Sequence, residues 1–181
     1  MRIISGKYKG RRLNAPKKLP IRPTTDMAKE SLFNILNNLY YFDEISVLDL
    51  FAGSGNISYE FASRGVEAIT AVDAHFNCVK FISNTAEQLD MPIHTVKSDV
   101  YAFLKSNASR YTVIFADPPY DWEFQRFEEI ALLVFQNELL DADGLLIIEH
   151  SKQTDLSEVE NYSYSKSYGG SVFSFFERSH Q

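Results

Sequence analysis

From residue 26 onward, apolar positions alternate between a period near 3.6 and short continuous runs, the pattern of helices and buried strands following one another. Ala28, Leu32, Ile35, Leu36 and Leu39 mark one face of a first helix, with Thr25 or Asp26 as its cap. Val47 to Phe51 is an apolar strand, broken at once by Ala52-Gly53-Ser54-Gly55. Ile57, Phe61 and Ala62 then lie on a second helix that Gly65 ends. A strand from Ala68 to Val72 closes at Asp73, and Phe76, Val79, Ile82, Ala86 and Leu89 suit the helix after it. Pro92 to Val96 is a weaker strand running toward Asp99, and Val100, Phe103 and Leu104 open a short helix.

The alternation continues with a strand from Tyr111 to Ala116, which runs into Asp117-Pro118-Pro119-Tyr120. Phe124, Phe127, Ala131 and Val134 mark a further helix, and Gly144 precedes the strand Leu145 to Glu149. The end changes character: Tyr162 to Ser167, Gly169-Gly170 and Val172 to Phe176 read as an antiparallel hairpin. Repeated strand–helix units predict an α/β fold, a mostly parallel sheet with helices on both faces and an antiparallel strand at one side. Before residue 26, Ile3, Ile4, Tyr8 and Leu13 interleave with Gly6 and Gly10, which predicts a short twisted β-hairpin extension. The chain therefore divides into residues 1–25, the extension, and residues 26–181, the main domain.

With 181 residues, 45% of them hydrophobic, the chain can bury an ordinary core. Its single cysteine, Cys78, excludes a disulfide framework and a multi-thiolate metal site, and His75, His94, His150 and His180 lack the spacing of a metal site. No metal is expected. No apolar run approaches the roughly 18 residues of a membrane helix, and no signal-peptide core follows Met1, so a cytoplasmic protein without membrane contact is expected.

Charge changes the picture more than composition does. The net charge of −6 conceals a segment, residues 1–25, with eight basic side chains and no acidic one. The other 156 residues carry ten basic against 24 acidic side chains. A basic arm on an acidic body points to a polyanionic partner, with Arg2, Lys7, Lys9, Arg11, Arg12 and Arg22 as candidate RNA contacts. A solvated basic surface is the plainer alternative.

Two constellations carry chemistry. In Asp49-Leu50-Phe51-Ala52-Gly53-Ser54-Gly55, glycines allow a tight turn and close approach of a ligand to the backbone and the following helix terminus. Ser58 stands where the dinucleotide fingerprint has its third glycine. A strand-to-helix turn of this kind also serves purely structural ends. Asp73, 20 residues beyond Gly53, can grip a ribose diol or simply cap a helix, and Asp49 suits a ligand's ammonium group. In Asp117-Pro118-Pro119-Tyr120, two prolines withdraw backbone donors and leave a rigid set of acceptors beside an aromatic ring. An exocyclic base amine needs those groups: oxygens to hold its hydrogens and a ring to stack on. At the ends of parallel strands, both constellations would share one cleft.

Together the motifs resemble those of class I S-adenosylmethionine-dependent amino-methyltransferases. Ser5 to Leu13, Arg22-Pro23-Thr24 and Glu30 to Asn34 resemble one branch, the bacterial 16S rRNA guanine-N2 methyltransferases of the RsmD type. The resemblance implies a seven-stranded Rossmann-like sheet, S-adenosylmethionine as cofactor, and 16S rRNA in an assembling small subunit as partner of a monomeric enzyme. It places Asp49, Phe51, Gly53 and Gly55 around the cofactor, Asp73 at its ribose and Asp99 near its adenine. Asp117, Pro118, Pro119 and Tyr120 would form the target-amine site. Met27 departs from the branch, which usually has a basic residue there; Lys29 is the first cation after Asp26. An adenine-N6 methyltransferase, a nicotinamide-dependent oxidoreductase and a non-catalytic RNA-binding module are the competing readings.

Overall fold

The computed structural model describes residues 1–179, and His180 lies outside them. In chain order the elements are α1 (Asp26–Leu39), a 3-10 turn (Phe42–Glu44), β1 (Ser46–Leu50), α2 (Asn56–Ser63), β2 (Ala68–Asp73) and α3 (Phe76–Gln88). There follow β3 (Ile93–Lys97), α4 (Val100–Ser106), β4 (Tyr111–Ala116), α5 (Phe124–Gln136), β5 (Leu140–Ser151), β6 (Tyr162–Tyr168) and β7 (Ser171–Phe176). The strands form one seven-stranded sheet in the order β3-β2-β1-β4-β5-β7-β6. β3, β2, β1, β4 and β5 pair in parallel, whereas β7 is antiparallel to both β5 and β6. The predicted α/β class, the mostly parallel sheet and the C-terminal hairpin are all present. No helix is long and apolar enough to cross a membrane among the described residues.

Successive residues of a strand face opposite sides of the sheet, so a strand buried on both sides must be apolar throughout. Along β4, Ile114 and Ala116 pack with Leu48, Leu50 and the α4–α5 residues Leu104, Phe127 and Val134. Val113 and Phe115 pack on the other side, with Val47, Ile147, Phe173 and the α1–α2 residues Leu32, Phe33 and Phe61. α3 covers the same side as α1 and α2, near the β3 edge, through Ile82 and Ala86 against Ala71 and Met91.

Several expected positions move. Thr25, not Asp26, caps α1, accepting from the Ala28 amide at 3.2 Å. Leu39 is 53% exposed and Phe33 replaces it in the core, edge-on to Phe61 at 4.6 Å between ring centroids. Phe76 is also exposed, so the buried stripe of α3 runs through Cys78, Ile82, Thr85 and Ala86. β5 begins five residues earlier than the apolar run indicates, through Asp141-Ala142-Asp143, with a register shift opposite Tyr111 and Val113.

The N-terminal hairpin is reduced to a single antiparallel bridge, Arg2 to Arg12. Its stability comes from the body. Ile3 is 1% exposed and packs with Tyr59, Ile82, Ala86 and Leu89. Beneath it lies Glu60 of α2, fully buried, which accepts the Ile4 and Ser5 amides at 2.9 and 3.1 Å. Glu60 also pairs with Lys29 Nζ at 3.3 Å and Arg64 Nε at 2.8 Å. Lys29 donates further to Asn56 Oδ1 and to the Arg2 carbonyl. Burial pushes its ammonium pKa down, and Glu60 opposes that shift. A buried carboxylate shared by three chain segments is therefore the clasp of the extension.

Candidate active site

The sheet order reverses direction between β1 and β4, and at such a point the connections leave on opposite faces and open a crevice beyond the strand ends. A cavity of about 490 Å³ lies there, within the range of small-molecule sites. It is lined from below by the residues after β1, β2, β3 and β4, and from the side by residues 20–24 of the extension.

The β1 turn is built by three left-handed residues, Phe51, Gly53 and Gly55. Phe51 adopts φ +57°, a region non-glycine residues occupy at a cost of roughly 1–3 kcal/mol. Its ring meets Trp122 edge-on at 5.3 Å. Gly55 adopts φ +88° at the start of α2, where a Cβ would lie 2.6 Å from the Tyr59 ring. Gly55 thus serves packing, between Ser54 and Asn56, which line the cavity. Gly53 lines the cavity, and its amide donates to Asp73 Oδ2 at 2.9 Å. The other Asp73 oxygen takes the His75 amide at 2.8 Å. The β1 and β2 ends are thereby locked together, and each Asp73 oxygen keeps a further lone pair for a ligand hydroxyl. Asp99 reaches the cavity too while capping α4 through the Ala102 amide at 3.0 Å.

Asp49 is 1% exposed and lines the cavity floor. Ser58, at the position of the missing fingerprint glycine, donates its hydroxyl to Asp49 Oδ2 at 2.7 Å. No cationic side chain among the described residues pairs with this carboxylate. Burial raises its pKa to about 7, with the Ser58 hydrogen bond opposing. It is a site suited to an incoming cation. A ligand ammonium needs the ionised form, so affinity should rise with pH up to about 7 and then level. Calorimetry with S-adenosylhomocysteine should show up to about a tenfold gain per pH unit between roughly pH 5.5 and 7. Asp49→Asn should bind weakly and flatten that dependence.

On the opposite wall, Asp117 extends β4 by donating its amide N–H to the Leu50 carbonyl, then Pro118 and Pro119 turn the chain away. Asp117, Pro118, Pro119 and Tyr120 all line the cavity. Arg22, expected among the RNA-contacting cations, turns its guanidinium to this wall. Nη2 lies 2.6 Å from Asp117 Oδ1, Nη1 lies 3.0 Å from Glu149 Oε2, and Cζ sits 3.4 Å over the centre of the Tyr120 ring. The other Glu149 oxygen accepts the Thr24 hydroxyl at 2.9 Å, and Tyr120 Oη is 2.8 Å from Ser171 Oγ. Burial, then the neighbouring Glu149, push the Asp117 pKa well above the usual carboxylate range, while Arg22 pulls it down. Glu149, Thr24, Trp122 and Arg126 were not among the expected site residues. A charge closing the apolar run Leu145–Ile148 was the one signal for Glu149.

The remaining basic candidates stay on the surface. Arg2 pairs with Asp26 at 3.3 Å and is nearly half exposed, and Lys7, Lys9, Arg11 and Arg12 are exposed. Met27, at 62% exposure, touches neither wall of the cavity. Among the described residues no His, Cys, Asp or Glu group is arranged to hold a metal ion.

A switch-point cavity with an acidic strand end on one wall and an Asp-Pro-Pro-Tyr loop on the other defines a Rossmann-like chain of the methyltransferase fold class. Residues 1–177 match the family described as Conserved hypothetical protein 95, and the chain belongs to that family. Bacillus subtilis YlbH is 37% identical over 163 residues, 87% of this chain and 86% of the relative. The Escherichia coli K12 protein named ribosomal RNA small subunit methyltransferase D is 33% identical over 164 residues, covering 89% of this chain and 76% of that one. The solved structure of a hypothetical protein from Thermus thermophilus superposes with a TM-score of 0.84 at 27% identity, over 98% of this chain and 99% of that chain.

Proposed function

We propose that this protein transfers a methyl group from S-adenosylmethionine to the exocyclic N2 amine of a guanine in 16S rRNA. The observation that carries the reading is the shared cavity: the buried Asp49 carboxylate and Asp73 at the end of β2 face the Asp117-Pro118-Pro119-Tyr120 loop. The name of the E. coli relative supplies the nucleic acid. The lining fits the cofactor, with Asp49 for its ammonium, Asp73 for its ribose hydroxyls and Asp99 toward its base. When bound, S-adenosylmethionine supplies an electrophilic methyl group.

The protein's part is to make a poor nucleophile attack. The lone pair of a purine amine is delocalised into the ring. Asp117 and the Pro118 carbonyl can accept the two amine hydrogens and leave the lone pair facing the cavity interior. These hydrogen bonds strengthen as positive charge grows on nitrogen, so they favour the transition state over the ground state. Tyr120 offers a stacking face. The decisive experiment methylates rRNA from a strain lacking the gene and maps the product by mass spectrometry. Methyl groups found only on adenine would sink the guanine reading and keep the enzyme class.

The exposed cations of the extension belong to the same proposal. Lys7, Lys9, Arg11 and Arg12 can contact phosphate, whereas the acidic body repels it. Deleting the extension would not test this, because Ile3 and the Glu60 amide contacts belong to the folded core. Serine at all four positions should weaken RNA binding and reduce the slope of log affinity against log salt by roughly 0.7–0.9 for each phosphate that is no longer neutralised. S-adenosylhomocysteine affinity should hold. An unchanged salt slope would remove the extension from the RNA interface.

A further inference from the structure

The seat that the proposed chemistry needs is already taken by the protein itself. Arg22 lies on the Tyr120 face at a stacking distance, 3.4 Å, and one of its nitrogens binds Oδ1 of the Asp117 carboxylate, the group that would hold the target amine. A second nitrogen of the same plane binds Glu149. The group is planar, presents N–H donors side by side, and stacks on an aromatic ring. Guanine has the same features along one edge, where N1–H and the N2 amine form an H–N–C–NH₂ fork. Adenine does not: its N1 is an acceptor beside the N6 amine, and would face a carboxylate oxygen lone pair to lone pair.

We propose that Arg22 is a place-holder for the target base: it fills the Tyr120–Asp117–Glu149 seat in the free enzyme and must leave before methylation. The exchange puts the guanine N2 amine on Asp117 and N1–H on Glu149. This rests on the guanine-N2 reading and adds to it a second acceptor and a step of substrate entry. Three further observations support it. The side chain is 37% exposed, so it stands at the open end of the seat. Residues 21–25 belong to no helix or strand, so the backbone carrying Arg22 can shift without breaking a ladder. The adjacent Thr24 hydroxyl on Glu149 Oε1 gives this segment an anchor beyond the part that must move.

The chemistry gives the exchange a purpose. A cation bound to Asp117 opposes the positive charge that develops on the amine nitrogen in the transition state. Departure of the guanidinium frees that carboxylate at the moment when its charge stabilises the reaction. In the resting protein the same guanidinium balances two buried carboxylates that would otherwise repel each other.

Nuclear magnetic resonance on the intact wild-type chain tests the exchange directly. The Arg22 Nε–Hε resonance, assigned by its loss in Arg22→Lys, should carry the upfield ring-current shift of a group over Tyr120. With S-adenosylhomocysteine saturating, guanosine should move it to an ordinary arginine position and adenosine should not. Calorimetry should find guanosine bound at least tenfold more tightly by Arg22→Ala, since no place-holder then competes. A resonance that keeps its ring-current shift when guanosine saturates the site overturns the proposal. So does guanosine affinity that is equal or weaker in Arg22→Ala. Methyl groups mapped to guanine while Arg22 stays on Tyr120 defeat the exchange alone. Methyl groups mapped to adenine defeat the guanine reading and, with it, the place of N1–H on Glu149.

Discussion

Replacing Asp117 with alanine should slow single-turnover methylation by about 10²–10³ with cofactor saturating, the effect of deleting one preorganised polar group. The loss falls on the chemical step because the rest of the wall survives. Arg22 keeps its 3.0 Å pair with Glu149 and its place over Tyr120, so the cation is not left alone. S-adenosylhomocysteine affinity should barely change, since Asp49 and Asp73 lie on the other wall. Asp117→Asn retains an acceptor oxygen and should keep measurable activity, which an obligate general base would not allow. Tyr120→Ala should act differently, weakening base docking by about 1–3 kcal/mol of stacking. Parent-like turnover by Asp117→Ala would remove this loop from the amine site.

The second large effect is on stability. Glu60→Leu should cost about 3–5 kcal/mol, because Lys29 would be left buried and unpaired and the Ile4 and Ser5 amides would lose their acceptor. For a domain of this size each kcal/mol lowers Tm by about 2–4 °C. Adding Lys29→Met should restore part of the loss, since the uncompensated charge goes while the two amides stay unsatisfied. Calorimetric unfolding of the single and double variants measures both effects. A Glu60→Leu protein with parental Tm would show that the buried clasp contributes nothing net.

What could be read from the chain depended on how local the cause was. The glycine turn, Asp73 and the Asp-Pro-Pro-Tyr loop declare themselves because a few adjacent residues dictate the backbone there. The strand–helix alternation did the same for the sheet. Arg22 belongs to the opposite case. Charge counting placed it in the basic surface, yet its partners Asp117 and Glu149 lie 95 and 127 residues away. Nothing near it in sequence says that it turns inward. Lys29 is similar: it appeared only as the first cation after Asp26, and its burial is decided by Glu60 on another helix. Gly55 reads as a ligand contact from the turn alone, and the structure adds a packing reason for glycine there, the Tyr59 ring. The start of β5 is hidden in the sequence because Asp141 and Asp143 look like a loop until β4 supplies the pairing edge.

The distance between Arg22 and Glu149 also bears on how the molecule is made. On a ribosome residues 1–25 emerge before the main domain, and Glu60 follows soon enough to clasp Ile4 and Ser5 early. The other end of that extension has no such early partner. Arg22 must wait for Asp117, 95 residues later, and both Arg22 and Thr24 for Glu149 of β5, more than 120 residues later. Contacts of such separation form late, after the entropy of closing the intervening chain has been overcome. A nascent chain halted before residue 149 can therefore carry a folded glycine turn and still lack a finished cavity wall. Cofactor binding is expected to appear during synthesis before the base seat does.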